Sequence, residues 1–127
     1  MILKTYARTF SVDLEASLRV LKSQVGRNPE LRMKFLDMEV ATHGDFCFLA
    51  RPAESIKPYL GAVGPIIVDN LASTQIELER DGAEIVVPRT EVMTGWNLFT
   101  RNPDGVVIEW VEWYPHIWEQ VKLASAA

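Results

Sequence analysis

The chain has 127 residues, 48% apolar and 24% charged, ordinary proportions for a globular domain large enough to bury a real core. A net charge of -4 with no block of like charges excludes nucleic acid as the main partner, because phosphate binding needs clustered Lys and Arg. A single cysteine, Cys47, excludes an internal disulfide, and no apolar run reaches transmembrane or signal-peptide character, so a soluble cytoplasmic protein without a membrane partner is expected.

In chain order, residues 2–10 read as a first strand, with Tyr6, Arg8 and Phe10 on one side and Ala7 and Thr9 on the other. Asp13 starts a helix whose stripe is Leu14, Leu18, Leu21 and Val25, and Gly26 ends it. Asn28-Pro29 marks a turn, residues 31–40 a strand, Thr42-His43-Gly44-Asp45 a further turn, and residues 46–50 a short apolar strand. Residues 51–60, with Pro52 and Pro58 and no clean period, form a linker.

Residues 61–68 are the next strand. Asp69 or Asn70 starts a second helix carrying Leu71, Ile76 and Leu78, and Asp81-Gly82 stops it. Residues 84–87 then read as a strand, 88–91 as a loop, 96–101 as a strand, Asn102-Pro103-Asp104-Gly105 as a β-turn and 106–113 as the last strand. After Pro115 a short helix or irregular tail follows. The phrase Val12-Asp13-x-x-Ala16-Ser17 recurs 56 residues later as Val68-Asp69-x-x-Ala72-Ser73, each time where a strand gives way to a helix. The expected class is α+β: a single domain over 1–127, with a βαβββ module in 1–50, a linker in 51–60, a second βαβββ module in 61–114 and a tail in 115–127.

The stretches Val68-Asp69-Asn70-Leu71, Gly82-Ala83-Glu84-Ile85-Val86-Val87-Pro88 and above all Asn102-Pro103-Asp104-Gly105-Val106-Val107-Ile108-Glu109 resemble the second half of the vicinal oxygen chelate superfamily. That superfamily includes glyoxalase I, extradiol dioxygenases and bleomycin-binding resistance proteins, and residues 10–26 resemble its opening. The resemblance implies two modules that curl their sheets into a cup, with helices outside. In the enzymes of the family, two ligands from each module hold a divalent metal. The matching positions here are Tyr6, about Phe48, Ala62 or Val63 depending on register, and Glu109. Only Glu109 is a good ligand for a hard divalent ion, so no metal and no cofactor are expected.

Glu109 is thus the candidate binding or catalytic carboxylate, with Arg8 or Arg101 expected to neutralise it. Tyr6, Phe46, Phe48, Trp96 and Phe99 are expected to line the cup as a stacking-capable apolar pocket for a small molecule, with Arg8, Arg101 and Glu109 as its polar groups. Cys47 is expected to pack toward the helices, and Trp110 to pack under a helix on the opposite face from Glu109. Trp113 and Trp118 are candidates for a homodimer interface. The resulting expectation is a metal-independent binder of an antibiotic or metabolite. The alternative is a lyase, isomerase or dioxygenase-like enzyme using Glu109 with a divergent metal site or metal-free acid-base chemistry.

Overall fold

A computed structural model describes residues 1–35, 37–50 and 53–126. Its elements are β1 (Ile2–Thr5), β2 (Ala7–Ser11), α1 (Leu14–Val25), β3 (Leu31–Phe35), β4 (Met38–His43), β5 (Phe46–Ala50) and α2 (Ala53–Ile56). A 3-10 turn (Lys57–Tyr59) follows, then β6 (Ala62–Val68), α3 (Leu71–Arg80), β7 (Glu84–Val92), β8 (Gly95–Arg101), β9 (Val107–Trp113) and α4 (Pro115–Ala126). The class is α+β. Two compact units divide the chain, Met1–Tyr6 with Gly61–Ile117, and Ala7–Leu60 with Trp118–Ala127.

Each unit is built on the same βαβββ module. One sheet runs β2-β5-β4-β3, the other β6-β9-β8-β7 with β1 added beside β6. In both, the first and last strands of the module pair in parallel and the remaining neighbours are antiparallel. A helix between the first and second strands supplies the crossover that parallel pairing requires. In one unit, Leu14 and Leu18 of α1 pack on Ala41, Phe48 and Ala50. In the other, Leu71 of α3 packs with Ile66, Val68, Leu98 and Trp110, whose indole N–H donates to Thr100 Oγ1 at 2.9 Å. A buried indole nitrogen needs such a partner.

Helix starts reveal the true period of the duplication. Asp13 caps α1 by accepting from the Ala16 N–H at 3.1 Å, whereas α3 is capped by Asn70, which accepts from the Ser73 N–H at 2.9 Å. Asp13 and Asn70, like Leu14 and Leu71, stand 57 residues apart, so the written phrase is offset by one from the structural repeat. Asp69 is left outside the helix. Its carboxylate accepts from the amino group of Met1 at 2.8 Å, and that hydrogen bond holds its pKa below the ordinary carboxylate value.

Several element boundaries differ from the sequence reading. The first strand breaks at Tyr6, and its two halves join different sheets. Residues 31–43 form two strands with a turn between them, in which Leu36 lies outside the described residues, and Thr42 and His43 belong to β4. Part of the expected linker is helical over 53–59, while Arg51 and Pro52 lie outside the described residues. Pro88 does not end β7, which continues to Val92; β7 is an edge strand and its pairing with β8 shifts register between Ile85 and Thr90, both settings in which a strand tolerates proline. The tail is a full helix, tied to the second unit by Gln120 Nε2, which donates to the Glu30 carbonyl at 3.3 Å. Among the described residues, no helix is long and apolar enough to cross a membrane.

Candidate functional site

The Asn102–Gly105 turn sets the register of β8 against β9. It places Phe99 opposite Glu109, Asn97 opposite Val111 and Gly95 opposite Trp113. Strand alternation then puts Asn97, Phe99, Arg101, Glu109 and Trp113 on one side of the sheet. Trp96, Leu98, Thr100 and Trp110 lie on the other side, toward α3.

Glu109 is buried, with only 4% of its surface exposed, and Asn97 Nδ2 donates to its Oε2 at 2.9 Å. An amide donor to a carboxylate is a charge-assisted bond, which offsets part of the cost of removing the acid from water. Gly64 on β6 presses on the same residue. A Cβ at Gly64 would stand 2.8 Å from the Glu109 carbonyl oxygen, and its φ of +133° suits glycine alone. Trp113 meets the Tyr6 ring at 5.8 Å between centroids and 49° between planes. Tyr6 is itself buried, its N–H donates to the Pro65 carbonyl at 3.1 Å, and the Lys4 ammonium lies 4.9 Å from its ring centroid. One face of this unit therefore carries a single buried carboxylate, a side-chain amide and three aromatic rings.

In the other unit, Arg8 pairs in register with Cys47, and Cys47 faces Thr42 across the next strand. The Arg8 guanidinium sits 5.1 Å from the Tyr59 ring centroid. Thr9, Phe46 and Phe48 lie on the opposite, α1 side. There they line a groove of about 390 Å3 with Ala16, Val20 and Leu21.

Four expectations need correction. Phe46 and Phe48 do not share a face with Arg8, because the phase of β5 is one residue away from that assumed and turns both rings to α1. Cys47, expected toward the helices, takes the Arg8 side for the same reason. Trp96 lies on the α3 side of β8, with the Arg89 guanidinium 4.5 Å from its ring centroid. Arg101 shares the Glu109 side, but its guanidinium bonds Glu84 at 3.1 Å. Of the predicted set, Tyr6, Phe99 and Glu109 stand together on one face, joined by Trp113, a candidate for the homodimer interface. Asn97 and Gly64 were missed. Counting back from the Asn102–Gly105 turn would have found Asn97, a lone amide among the apolar residues of β8 and two places from the partner of Glu109.

No protein-family model matches the chain, and no curated protein does. Solved structures do. An uncharacterised protein from Methanosarcina mazei is 29% identical, with 90% of this chain and 94% of that chain covered and a TM-score of 0.81. Methylmalonyl-CoA epimerase from Mycobacterium tuberculosis is 16% identical, with 93% of each chain covered and a TM-score of 0.71. A hypothetical protein from Bacillus halodurans C-125 is 11% identical, covering 89% of this chain and 95% of that one, with a TM-score of 0.65.

This chain has the vicinal oxygen chelate fold.

The fold implies a divalent metal, and the side chains here do not fit one. Asn97, a polar neighbour of Glu109, presents its NH2 to the carboxylate, and an NH2 repels a cation. The counterpart of Tyr6 in the second module is Val63 when the helix caps are aligned and Ala62 when the written phrase is; neither has a donor atom. Phe48 is committed to the α1 core, and the residue of β5 that takes the Arg8 side is Cys47, a soft thiol ill-suited to a hard divalent ion. Among the described residues, no three His, Cys, Asp or Glu side chains gather closely enough to hold a metal ion.

Proposed function

We propose that this chain is a metal-independent small-molecule-binding protein of the glyoxalase/bleomycin-resistance type, acting by affinity on an antibiotic or a related metabolite. The observation that carries the reading is the face bearing Glu109. A carboxylate held by Asn97 is accompanied by Phe99, Tyr6 and Trp113, a mainly apolar surface with few oriented polar groups. The aromatic rings supply contact area at low entropic cost, and Glu109 favours a ligand that brings a hydrogen-bond donor. The protein is further proposed to be a cytoplasmic homodimer, with the half-buried Trp118 of α4 in the dimer contact.

The test is metal analysis of the purified protein together with a thermal-shift screen of aromatic and glycopeptide antibiotics. A ligand of the native state raises the melting temperature by mass action. Saturable stabilisation by a metal-free protein is expected, and lost in Glu109→Gln. A stoichiometric divalent metal that is needed for ligand binding would overturn the reading.

The second reading is an enzyme, a lyase, isomerase or dioxygenase-like protein, with Glu109 as acid or base. Burial of its carboxylate and the likeness to an epimerase favour proton transfer at carbon within that reading. Glu109-dependent exchange of a ligand's carbon-bound hydrogen for deuterium would select it over binding alone.

A further inference from the structure

A second concavity, of about 500 Å3, opens beside the C-terminal end of α1. It is lined by Arg19, Lys22, Ser23, Gly26 and Arg27. The first four recur at i, i+3, i+4 and i+7, so the helix turns them to one side. Gly26 has open space where a Cβ would stand, and the concavity is unobstructed at the cap.

Two of its three cations are uncompensated. Neither Arg19 nor Lys22 has an acidic partner among the described residues, and Glu15, the acid in the first turn of the same helix, is bridged to Arg32 at 2.5 Å. Arg27 has Glu30 3.6 Å away, but that carboxylate is buried and already accepts the Gly44 N–H at 2.9 and 3.2 Å. The Arg27 Nε is buried and donates to nothing. A buried guanidinium donor with no acceptor is uncommon and calls for an explanation. The negative end of the helix dipole accounts for one cation in the last turn, Lys22. It does not account for three cations and a hydroxyl around one hollow in a chain whose net charge is -4.

We propose that this concavity binds a phosphoryl group. A carboxylate has too few oxygens to use two guanidinium groups, an ammonium and the Ser23 hydroxyl, whereas a phosphate monoester offers three terminal oxygens and close to two charges. A hollow of this size takes more than the bare oxyanion, so the group is carried on a larger molecule, either a soluble phosphate ester or a lipid headgroup.

The experiment is a titration of the 15N-labelled full chain, followed by amide NMR, with inorganic phosphate and with glycerol 3-phosphate. Chloride at the same ionic strength is the control. A parallel arm measures co-sedimentation with phosphatidylglycerol vesicles. Saturable shifts confined to residues 19–27, or vesicle binding, are expected, and the free ester and the vesicle arm distinguish the two sources. The double variant Arg19→Ala, Lys22→Ala changes only exposed helix positions, with retained folding checked by circular dichroism. It weakens whichever binding occurs by about tenfold, the loss of two exposed charge contacts. Shifts that match the chloride control without vesicle binding, or binding that the double variant leaves unchanged, overturn the proposal.

Discussion

Replacing Asn97 by Ala tests whether the buried carboxylate depends on the amide beside it. The substitution removes the donor 2.9 Å from Glu109 Oε2 at a place where both residues are almost fully buried. A hydrogen bond to a charged group contributes about 1.5–3 kcal/mol, and the asymmetry between deleting one partner and deleting both is diagnostic. Asn97→Ala is therefore expected to destabilise the fold by about 2 kcal/mol, or roughly 5–10 °C in Tm for a chain of this size. In Asn97→Leu, Glu109→Met both polar partners become apolar groups of similar shape, and most of that stability is expected to return, because no carboxylate is left to desolvate. Urea unfolding with an unchanged m-value is the assay. Ligand-induced stabilisation measured alongside it separates the roles, since the double variant folds well but no longer binds. Two results would refute the reasoning. One is an Asn97→Ala change below about 0.5 kcal/mol; the other is a double variant as unstable as the two single changes added together.

Gly95→Ala is expected to abolish folding or cost more than about 4 kcal/mol, since its Cβ would stand 2.0 Å from the Glu112 carbonyl oxygen with φ at +153°; soluble yield and thermal denaturation report it. Leu98→Ala, at the centre of the α3 cluster and fully buried, should lose about 2–5 kcal/mol in urea unfolding with no change in the caps. The Tyr114 hydroxyl donates to Glu91, which raises the phenol pKa above its ordinary value of 10.0; absorbance titration near 295 nm should show a late-ionising component that Glu91→Gln brings back toward the ordinary value. Because that pKa is raised in the folded state, its stabilisation is complete below pH 10.0 and disappears as pH climbs through the folded value, so wild type and Glu91→Gln should converge in stability at high pH.

The positions of the two module helices were legible, though Ile76, expected on the apolar stripe of the second, is exposed and Thr74 is buried in that helix instead. Leu14 and Leu18 recur at helical spacing behind an acidic cap, and both are buried on the sheet. Glu109 was reached through the family resemblance of the Asn102–Glu109 phrase, and the structure buries it on β9. Faces of strands were not. Phe46, Cys47 and Phe48 alternate whatever their environment, and the chain alone does not say which side α1 will occupy; one residue of phase exchanges every side chain. The same limit explains Trp96 and the missed Asn97, whose significance depends on the strand opposite.

The amino-acid sequence by itself determined the composition of the elements and the doubled βαβββ order, because these rest on local periodicity and residue chemistry. Tertiary packing alone decided that the repeat runs at 57 rather than 56 residues, that the first strand parts at Tyr6 between two sheets, and that Asn97 and Gly64, not Arg101, attend Glu109. Cap geometry, strand register and close backbone approach are relations between distant segments, and they acquire an energy only when those segments meet.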